Sequence, residues 1–214
     1  MEKNIRSTLI AKRGYQRNIS GDAFSLYLSN SPIAAQWLAE RIGDKEKVLL
    51  ELCCGIGATL ERVAPAFKYA IGVDIDAEIL GACQKNLGRA DLLERVDLIQ
   101  GDVRDIDFLQ NQKADTVIYD IPYWYPEKYS QYSSRKKEVK NPDLQKLVGT
   151  IRDFISHDIV IFAPPEMGYD FFKNAIGEHE CVKVFINGKH DRNYIFLGEL
   201  IQAAGETKIE LSVH

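Results

Sequence analysis

The strongest indication of the fold is the stretch Lys47-Val48-Leu49-Leu50-Glu51-Leu52-Cys53-Cys54-Gly55-Ile56-Gly57-Ala58. Its first half is a short apolar run, which is typical of a buried strand in a parallel sheet. Two glycines then allow the backbone to turn tightly and to approach a ligand closely before a helix begins at Ala58. The stretch therefore predicts a strand, a glycine-rich turn and a helix, with a ligand bound at the turn.

Strand and helix patterns alternate from this point onward. Apolar runs predict four further strands, at residues 70–74, 96–100, 116–120 and 159–162. Helices are predicted in the segments that connect the strands, at residues 58–66, 77–87 and about 142–155. Alternating units imply a parallel sheet with helices on both faces.

The end of the chain has a different pattern. Residues 181–186 and 194–201 predict two more strands, and Asn187-Gly188 between them is typical of a hairpin turn, although this turn could be longer than two residues. The sequence therefore predicts an α/β, Rossmann-like fold with a mixed seven-stranded sheet and a C-terminal antiparallel hairpin.

The residues before the first strand predict one helix and an irregular segment. Ser31 can cap the free amides of a first turn, and Pro32 fits the first helical position. Residues 1–30 are predicted to be irregular, with Gly14 and Gly21 as breaks. We therefore divide the chain into a basic N-terminal extension, residues 1–30, and one domain, residues 31–214.

Polar signals lie at the carboxyl ends of the first three strands, which is the edge where an open α/β sheet binds its ligand. Asp74 can accept hydrogen bonds from both hydroxyls of a ribose, Asp102 lies where an adenine amine could be met, and Glu51 could reach a ligand amine. The predicted cofactor site comprises Glu51, Cys53, Gly55, Gly57, Asp74, Ile75, Asp102 and Val103.

The glycine spacing distinguishes between nucleotide cofactors. A dinucleotide site would have a third glycine where Leu60 stands, and no P-loop for ATP phosphates is present. These features favour a cofactor made of adenosine and an amino-acid tail. The arrangement resembles the class I S-adenosylmethionine-dependent methyltransferases over about residues 28–201. The resemblance implies that Glu51 and the Cys53–Gly57 loop contact the methionine part, Asp74 the ribose and Asp102 the adenine.

The fourth strand ends in Asp120-Ile121-Pro122-Tyr123-Trp124. This run resembles a motif of amino-group methyltransferases, in which Asp, Asn or Ser precedes two prolines and an aromatic residue, but Ile121 replaces the first proline. The amine of a base is a poor nucleophile, so its site must hold the ring and aim the amine at the methyl group. We predict Asp120, Pro122, Tyr123 and Trp124 as catalytic residues, with an aromatic ring stacked on the base.

Within that superfamily the sequence resembles trimethylguanosine synthase-type guanine-N2 methyltransferases. The resemblance is carried by Cys54–Gly57, Phe24–Pro32 and Tyr194–Ile201. Basic residues near the N-terminus and the run Arg135-Lys136-Lys137, which is interleaved with tyrosines, could contact phosphates. RNA is the expected substrate partner.

Composition excludes several other classes of protein. The chain is 27% charged with a net charge of −4, which argues against broad, non-specific nucleic-acid binding. Its four cysteines and four histidines lack metal-site spacing, so no metal is expected. No apolar run is long enough to cross a membrane, and the N-terminus lacks a signal peptide's apolar core, so we expect no membrane partner and a cytoplasmic location. The oligomeric state is left open.

The leading hypothesis from the sequence is transfer of a methyl group from S-adenosylmethionine to an exocyclic amine of a nucleobase, guanine N2 in RNA. Two alternatives stay open at this point. One is a small-molecule or protein methyltransferase of the same fold. The other is a catalytically silent cofactor-binding module of an RNA-processing assembly.

Overall fold

An eight-stranded mixed sheet forms the centre of the computed structural model, which describes residues 2–15, 19–121 and 143–213. Its strands are β1 (Val48–Leu52), β2 (Tyr69–Asp74), β3 (Val96–Gln100), β4 (Thr116–Asp120), β5 (Ile159–Ala163), β6 (Glu180–Ile186), β7 (Lys189–Leu197) and β8 (Gly205–Leu211). Their order across the sheet is β3-β2-β1-β4-β5-β7-β6-β8. Strands β1 to β5 are parallel, and β7 lies antiparallel to β5.

Helices cover both faces of this sheet, as predicted. The helices are α1 (Glu2–Arg13), α2 (Ala23–Leu28), α3 (Pro32–Ile42), α4 (Leu60–Val63), α5 (Ala77–Arg89), α6 (Ile106–Gln110), α7 (Leu144–Phe154) and α8 (Tyr169–Ile176), with short 3-10 turns at Ala64–Ala66 and Gly198–Leu200. One buried cluster joins α3, α4 and α5 to one face, and a second joins α6, α7 and α8 to the other. Because both faces are covered, the central strands are almost wholly apolar.

The prediction of seven strands was wrong by one. The eighth strand, β8, pairs in parallel with β6 at the edge of the sheet, from Gly205 opposite Glu180 to Leu211 opposite Ile186. Charged residues at every second position point to solvent, so this strand has no continuous apolar run to mark it. The α/β class, the mixed sheet and the C-terminal hairpin are confirmed.

The turn of the hairpin has only two residues, and its second strand begins earlier than predicted. Asn187 and Gly188 alone connect the strands, both with positive φ, as a two-residue turn of this kind requires. Strand β7 therefore starts at Lys189 and ends at Leu197, instead of spanning residues 194–201. The run His190–Asn193, which falls between the two predicted strands, lies within β7.

The prediction that residues 1–30 are irregular was also wrong. Helices α1 and α2 lie there, and Leu9, Ile19 and Leu26 form a buried cluster with Ile56 and Ala58 of the glycine-rich turn. The helix predicted from Ser31-Pro32 is confirmed, since the Ser31 side chain accepts a hydrogen bond from the Ala34 amide at 3.3 Å. The N-terminal segment is thus packed onto the turn that the sequence assigns to a cofactor.

Candidate active site

Four acidic side chains converge at the carboxyl edge of the parallel strands. Glu51 lies in β1, Asp74 ends β2, Asp102 follows β3 and Asp120 ends β4, and these four strands are neighbours in the sheet. The charges of Asp120 and Asp74 both raise the pKa of Glu51, because the three groups lie close together. The structure therefore brings together the acids that the sequence predicts, and the region favours a ligand that carries positive charge.

The turn after β1 is held in a left-handed backbone conformation. Cys53, Gly55 and Gly57 have φ angles of 63°, 55° and 77°. A Cβ on Gly57 would lie 2.5 Å from the Cys83 sulfur, whereas a Cβ on Gly55 would meet no atom within 4 Å. Gly57 is thus required for packing on α5, and Gly55 leaves open space beside the backbone, where a ligand can approach.

Asp74 is held in place by the same turn. Its Oδ2 accepts a hydrogen bond from the Gly55 amide at 2.9 Å, and its Oδ1 accepts one from the Asp76 amide at 3.0 Å. Burial raises the pKa of Asp74 and outweighs these bonds, which lower it. Each oxygen retains a lone pair, so the carboxylate can still accept the two hydroxyls of a ribose. The adjacent Ile75 is 47% exposed and offers an apolar surface beside it.

Glu51 provides a test of whether the site fits the amino-acid tail of S-adenosylmethionine. The side chain is buried and bonded to Thr59, but its Oε2 has no hydrogen-bond partner among the described residues. Burial, followed by the charge of Asp120, raises the pKa of Glu51 well above its usual range. A buried carboxylate oxygen without a partner is costly, and a ligand ammonium group at Oε2 would relieve that cost. The residues present therefore fit this cofactor.

Asp102 has a partner that the sequence did not predict. Its carboxylate forms a bidentate pair with Arg104, with Nη2–Oδ2 and Nε–Oδ1 distances of 2.6 Å and 2.8 Å. This pair lowers the pKa of Asp102. Val103, the next residue, is buried in the core on the α6 side of the sheet. Asp102 lies at the predicted edge of the sheet, but an adenine amine would share its carboxylate with Arg104.

Asp120 lies at the centre of the row of strand ends, beside the acids already described. Burial raises its pKa to about 7, while the charge of Arg192 opposes the rise and that of Asp74 adds to it. Among the described residues, no donor is hydrogen-bonded to its carboxylate. Ile121 is buried, and the predicted catalytic residues Pro122, Tyr123 and Trp124 lie outside the described residues, as does the basic run at 135–137.

Residues far apart in the chain surround Asp120. Arg192 is buried and donates hydrogen bonds to the carbonyls of Leu28 and Ser29 at 3.2 Å and 3.1 Å. Asp191 accepts from Arg192 at 2.9 Å and from Arg13 at 2.7 Å. This cluster ties α1 and the end of α2 to the start of β7. We call the ends of β1, β2 and β3 the cofactor side. We call the ends of β4 and β5, the start of β7 and residues 13–15 and 19–31 the substrate side.

Several hydrogen bonds that hold this site together were not predicted from the sequence. Tyr15 donates to Ser29 at 2.7 Å, and Tyr194 donates to Asn30 at 2.8 Å. Asn86 donates to the Ile56 carbonyl at 2.9 Å and so holds the glycine-rich turn. Only Asn86 gave a usable signal, since it is a polar residue on the otherwise apolar inner face of α5.

The sequence also predicts that the chain binds no metal, forms no disulfide and has no membrane-spanning segment. No group of three or more histidine, cysteine or acidic residues able to hold a metal occurs in residues 2–15, 19–121 and 143–213. All four cysteines are free thiols. Within the same ranges, no helix is long and apolar enough to cross a membrane.

Comparisons with known proteins agree with this architecture. Residues 49–143 match the family model of the methyltransferase domain. The chain is 33% identical over 84 residues to the rRNA N(6)-adenosine-methyltransferase of Caenorhabditis elegans, a match that covers 37% of this chain and 39% of that protein. It is 30% identical over 110 residues to the ribosomal RNA small subunit methyltransferase A of a Nostoc species, covering 48% and 34% of the two chains.

Among solved structures, a proposed methyltransferase of Porphyromonas gingivalis superposes with a TM-score of 0.64 at 18% identity, over 85% of this chain and 43% of that one. At this identity the likeness concerns the fold alone. The chain spans only between a third and two fifths of the length of the curated relatives named here.

These findings define the class of domain. Residues 49–143 carry a class I S-adenosylmethionine-dependent methyltransferase domain within a Rossmann-like fold, and such a domain implies S-adenosylmethionine as the methyl donor. The relatives are rRNA methyltransferases, so the comparisons give this class without the cap guanine-N2 type that the sequence resembled.

Proposed function

We propose that this protein methylates an exocyclic amine of a nucleobase in RNA, with the N6 amine of an adenine in ribosomal RNA as the leading target. The observation that carries the proposal is Asp120, a carboxylate at the end of β4, beside the acids of the cofactor side and without a hydrogen-bond donor among the described residues. The names of the two curated relatives support ribosomal RNA as the substrate, and one of them specifies the N6 atom of adenosine.

The chemistry required of the chain is mainly positioning. S-adenosylmethionine, when bound, supplies a methyl group on a positively charged sulfur. Ionised Asp120 accepts a hydrogen bond from the target amine and orients its lone pair toward that methyl group. The backbone carbonyl of Ile121 is the second acceptor, and Tyr123 and Trp124 are the candidates to stack on the base. The amine gains the methyl group and loses one proton, which Asp120 can receive, since its pKa of about 7 suits it to this exchange.

On the cofactor side, Glu51 would bind the ammonium group of the methionine part through Oε2. Asp74 would accept the ribose hydroxyls, with Ile75 against the adenine. Gly55 and Gly57, with Cys53, shape the turn, while Asp102 and Val103 border the adenine from the end of β3. These roles follow from the fit of the acids to a cofactor with two positive charges.

Guanine N2 is the second candidate target. It is favoured by the resemblance of Cys54–Gly57 and Phe24–Pro32 to guanine-N2 methyltransferases. The Phe24–Pro32 segment contains Leu28, Ser29 and Asn30, which contact Arg192 and Tyr194 on the substrate side.

The test is transfer of labelled methyl from S-adenosylmethionine to total RNA, followed by nucleoside analysis. A peak of N6-methyladenosine supports the leading target, and N2-methylguanosine supports the second. If the protein binds S-adenosylmethionine but labels no nucleoside, the proposal fails, and a small-molecule or protein substrate or a silent module takes its place.

A further inference from the structure

A groove with a volume of about 440 Å³ opens on the substrate side. Its walls come from α1 and α2, from the Pro164-Pro165 turn after β5, and from the β6–β7 turn and the first residues of β7. Asp120 is in register with Phe162 of β5, and Phe162 with Tyr194 of β7. The groove thus begins about two strand spacings, or about 10 Å, from Asp120 along the same edge.

The groove is basic in a chain that is acidic as a whole. The whole chain carries a net charge of −4. The groove, in contrast, is lined by four cations and two carboxylates, which are Lys12, Arg13, Lys189, Arg192, Glu166 and Asp191. Asp191 is already neutralised by Arg13 and Arg192. Lys12 and Lys189 are exposed, and within the described part of the chain no carboxylate lies at ion-pair distance from either of them.

The walls of the groove are fixed by buried hydrogen bonds. Asn193 is fully buried and donates to the carbonyls of Pro164 and Met167 at 3.0 Å each, which holds the proline turn against β7. Arg192 holds the end of α2 in the same way. A preformed groove loses little conformational entropy when a ligand binds.

The ligand must match positive charge at the rim and apolar surface inside. Leu9, Leu28 and Ile186 contribute the apolar part, and Lys12 and Lys189 contribute the two charges without a partner. A polynucleotide strand presents both a charged backbone and flat bases, and lysines meet its phosphates as point charges. Because the groove begins about 10 Å from Asp120, it can hold nucleotides of the same strand that directly adjoin the target.

We propose that this groove binds single-stranded RNA beside the target nucleotide, with Lys12 and Lys189 on its phosphates. The inference deepens the proposed function and rests on it for the choice of RNA. The contact is independent of base identity, so it positions the strand, while recognition of the target base belongs to the region around Asp120.

The test compares two double variants in binding of a short fluorescein-labelled single-stranded RNA, measured by anisotropy at several salt concentrations with S-adenosylmethionine present. Lys12→Gln with Lys189→Gln removes the two groove charges. Lys68→Gln with Lys113→Gln removes two exposed charges at the opposite, amino edge of the sheet, just before β2 and β4, and is the matched control.

The groove variant is expected to bind RNA at least roughly tenfold more weakly at low salt, with a slope of log affinity against log salt reduced by about 1.4, since each phosphate contact on a single strand contributes about 0.7. The control should keep the slope and affinity of the wild type. Equal slopes for groove variant and wild type, or equal losses in both variants, would overturn the proposal.

Methyl transfer separates the failure of this inference from the failure of the proposed function. If the wild type binds RNA through the groove charges but labels no nucleoside, RNA binding by the groove is supported and the proposed methyl transfer is contradicted. If RNA is labelled while the groove variant binds RNA as the wild type does, the proposed methyl transfer is supported and RNA binding by the groove is contradicted. When both hold, the groove variant raises KM for RNA with little change in kcat.

Discussion

The cofactor side and the substrate side of this domain are built in different ways. On the cofactor side, the Gly55 amide bonds to Asp74 and the Glu51 carboxylate bonds to Thr59, so the partners belong to successive turns of one strand–helix pattern. On the substrate side, Asp191 bonds to Arg13 and Tyr194 bonds to Asn30, across more than 160 positions of sequence. One side is assembled from neighbouring units, and the other from distant parts of the chain.

From this difference we expect that substitutions can change the affinity for the methyl donor and the choice of the methyl acceptor independently. A substitution on the cofactor side should change the affinity for S-adenosylmethionine, and one on the substrate side should change turnover or RNA affinity.

The largest expected effect is that of Asp120→Ala. Loss of the carboxylate that orients the amine should lower kcat by about a hundredfold or more, while the affinity for S-adenosylmethionine stays close to that of the wild type. Single-turnover methylation and calorimetric titration measure the two quantities. Asp107→Ala, on the exposed face of α6, is the control. If Asp120→Ala lost cofactor binding as well, the separation of the two sides would be broken at this residue.

Glu51→Gln should affect the cofactor side of the domain. The amide can keep the bond to Thr59, but it lacks the charge for the cofactor ammonium, so the dissociation constant of S-adenosylmethionine should rise roughly 10- to 100-fold. Without cofactor, the variant should be as stable as the wild type or more so, because a buried unpaired carboxylate has been removed. Calorimetry and urea unfolding test the pair of effects; a destabilised variant with unchanged affinity would contradict the role.

The pH dependence should follow Asp120. Its pKa of about 7 in the folded protein means that kcat/KM falls about tenfold per pH unit below 7, since only the carboxylate accepts the amine proton. The positive charge of bound S-adenosylmethionine favours the carboxylate, so the profile of kcat should be shifted to lower pH. A kcat/KM profile that is flat between pH 5 and 8 would argue against this role.

The same group links pH to folding. The folded pKa lies above the ordinary value of about 3.9, so the contribution of Asp120 to stability is present at low pH and is lost as pH rises through 7. Urea unfolding of the cofactor-free protein should therefore show this loss in the wild type. Asp120→Asn, which cannot titrate, should lack it.

The smallest effect is expected for Arg13→Ala, which breaks the bond between α1 and β7. Loss of this half-buried ion pair should cost about 1 kcal/mol and lower Tm by about 2–4 °C. The affinity for RNA should fall severalfold, and that for S-adenosylmethionine should not change. Arg95→Ala, an exposed residue before β3, is the control. An equal drop in Tm for the two variants would show that the ion pair contributes nothing to stability.

The same comparison explains what the sequence could predict. Strands β1, β3 and β4 were predicted with their observed bounds. Strands β1 and β4 are buried along most of their length. Strand β3 is partly exposed at the edge of the sheet, and its apolar residues Val96, Leu98 and Ile99 marked it. The acids of the cofactor side were predicted because each lies at or just beyond the carboxyl end of β1, β2 or β3. Neighbouring parallel strands place their carboxyl ends together without further information.

The substrate side could not be predicted in the same way. Arg192 and Asn193 are charged and polar residues that resemble an exposed loop, yet both are buried, because their partners come from Leu28, Ser29 and the proline turn. Helix α1 was missed for a related reason, since its only buried residue among those with described side chains is Leu9. Contacts between distant segments leave no periodic pattern in the sequence.

The bond between Arg13 and Asp191 also has a consequence for the order in which the molecule is completed. The two residues are separated by 178 positions, and a chain emerging from the ribosome contains β1 to β4 well before it contains β7. Closing so long a loop is costly in entropy and slow compared with pairing of neighbouring units. A growing chain would therefore complete its nucleotide pocket first, and α1 would find its final partner only after the last hairpin has formed.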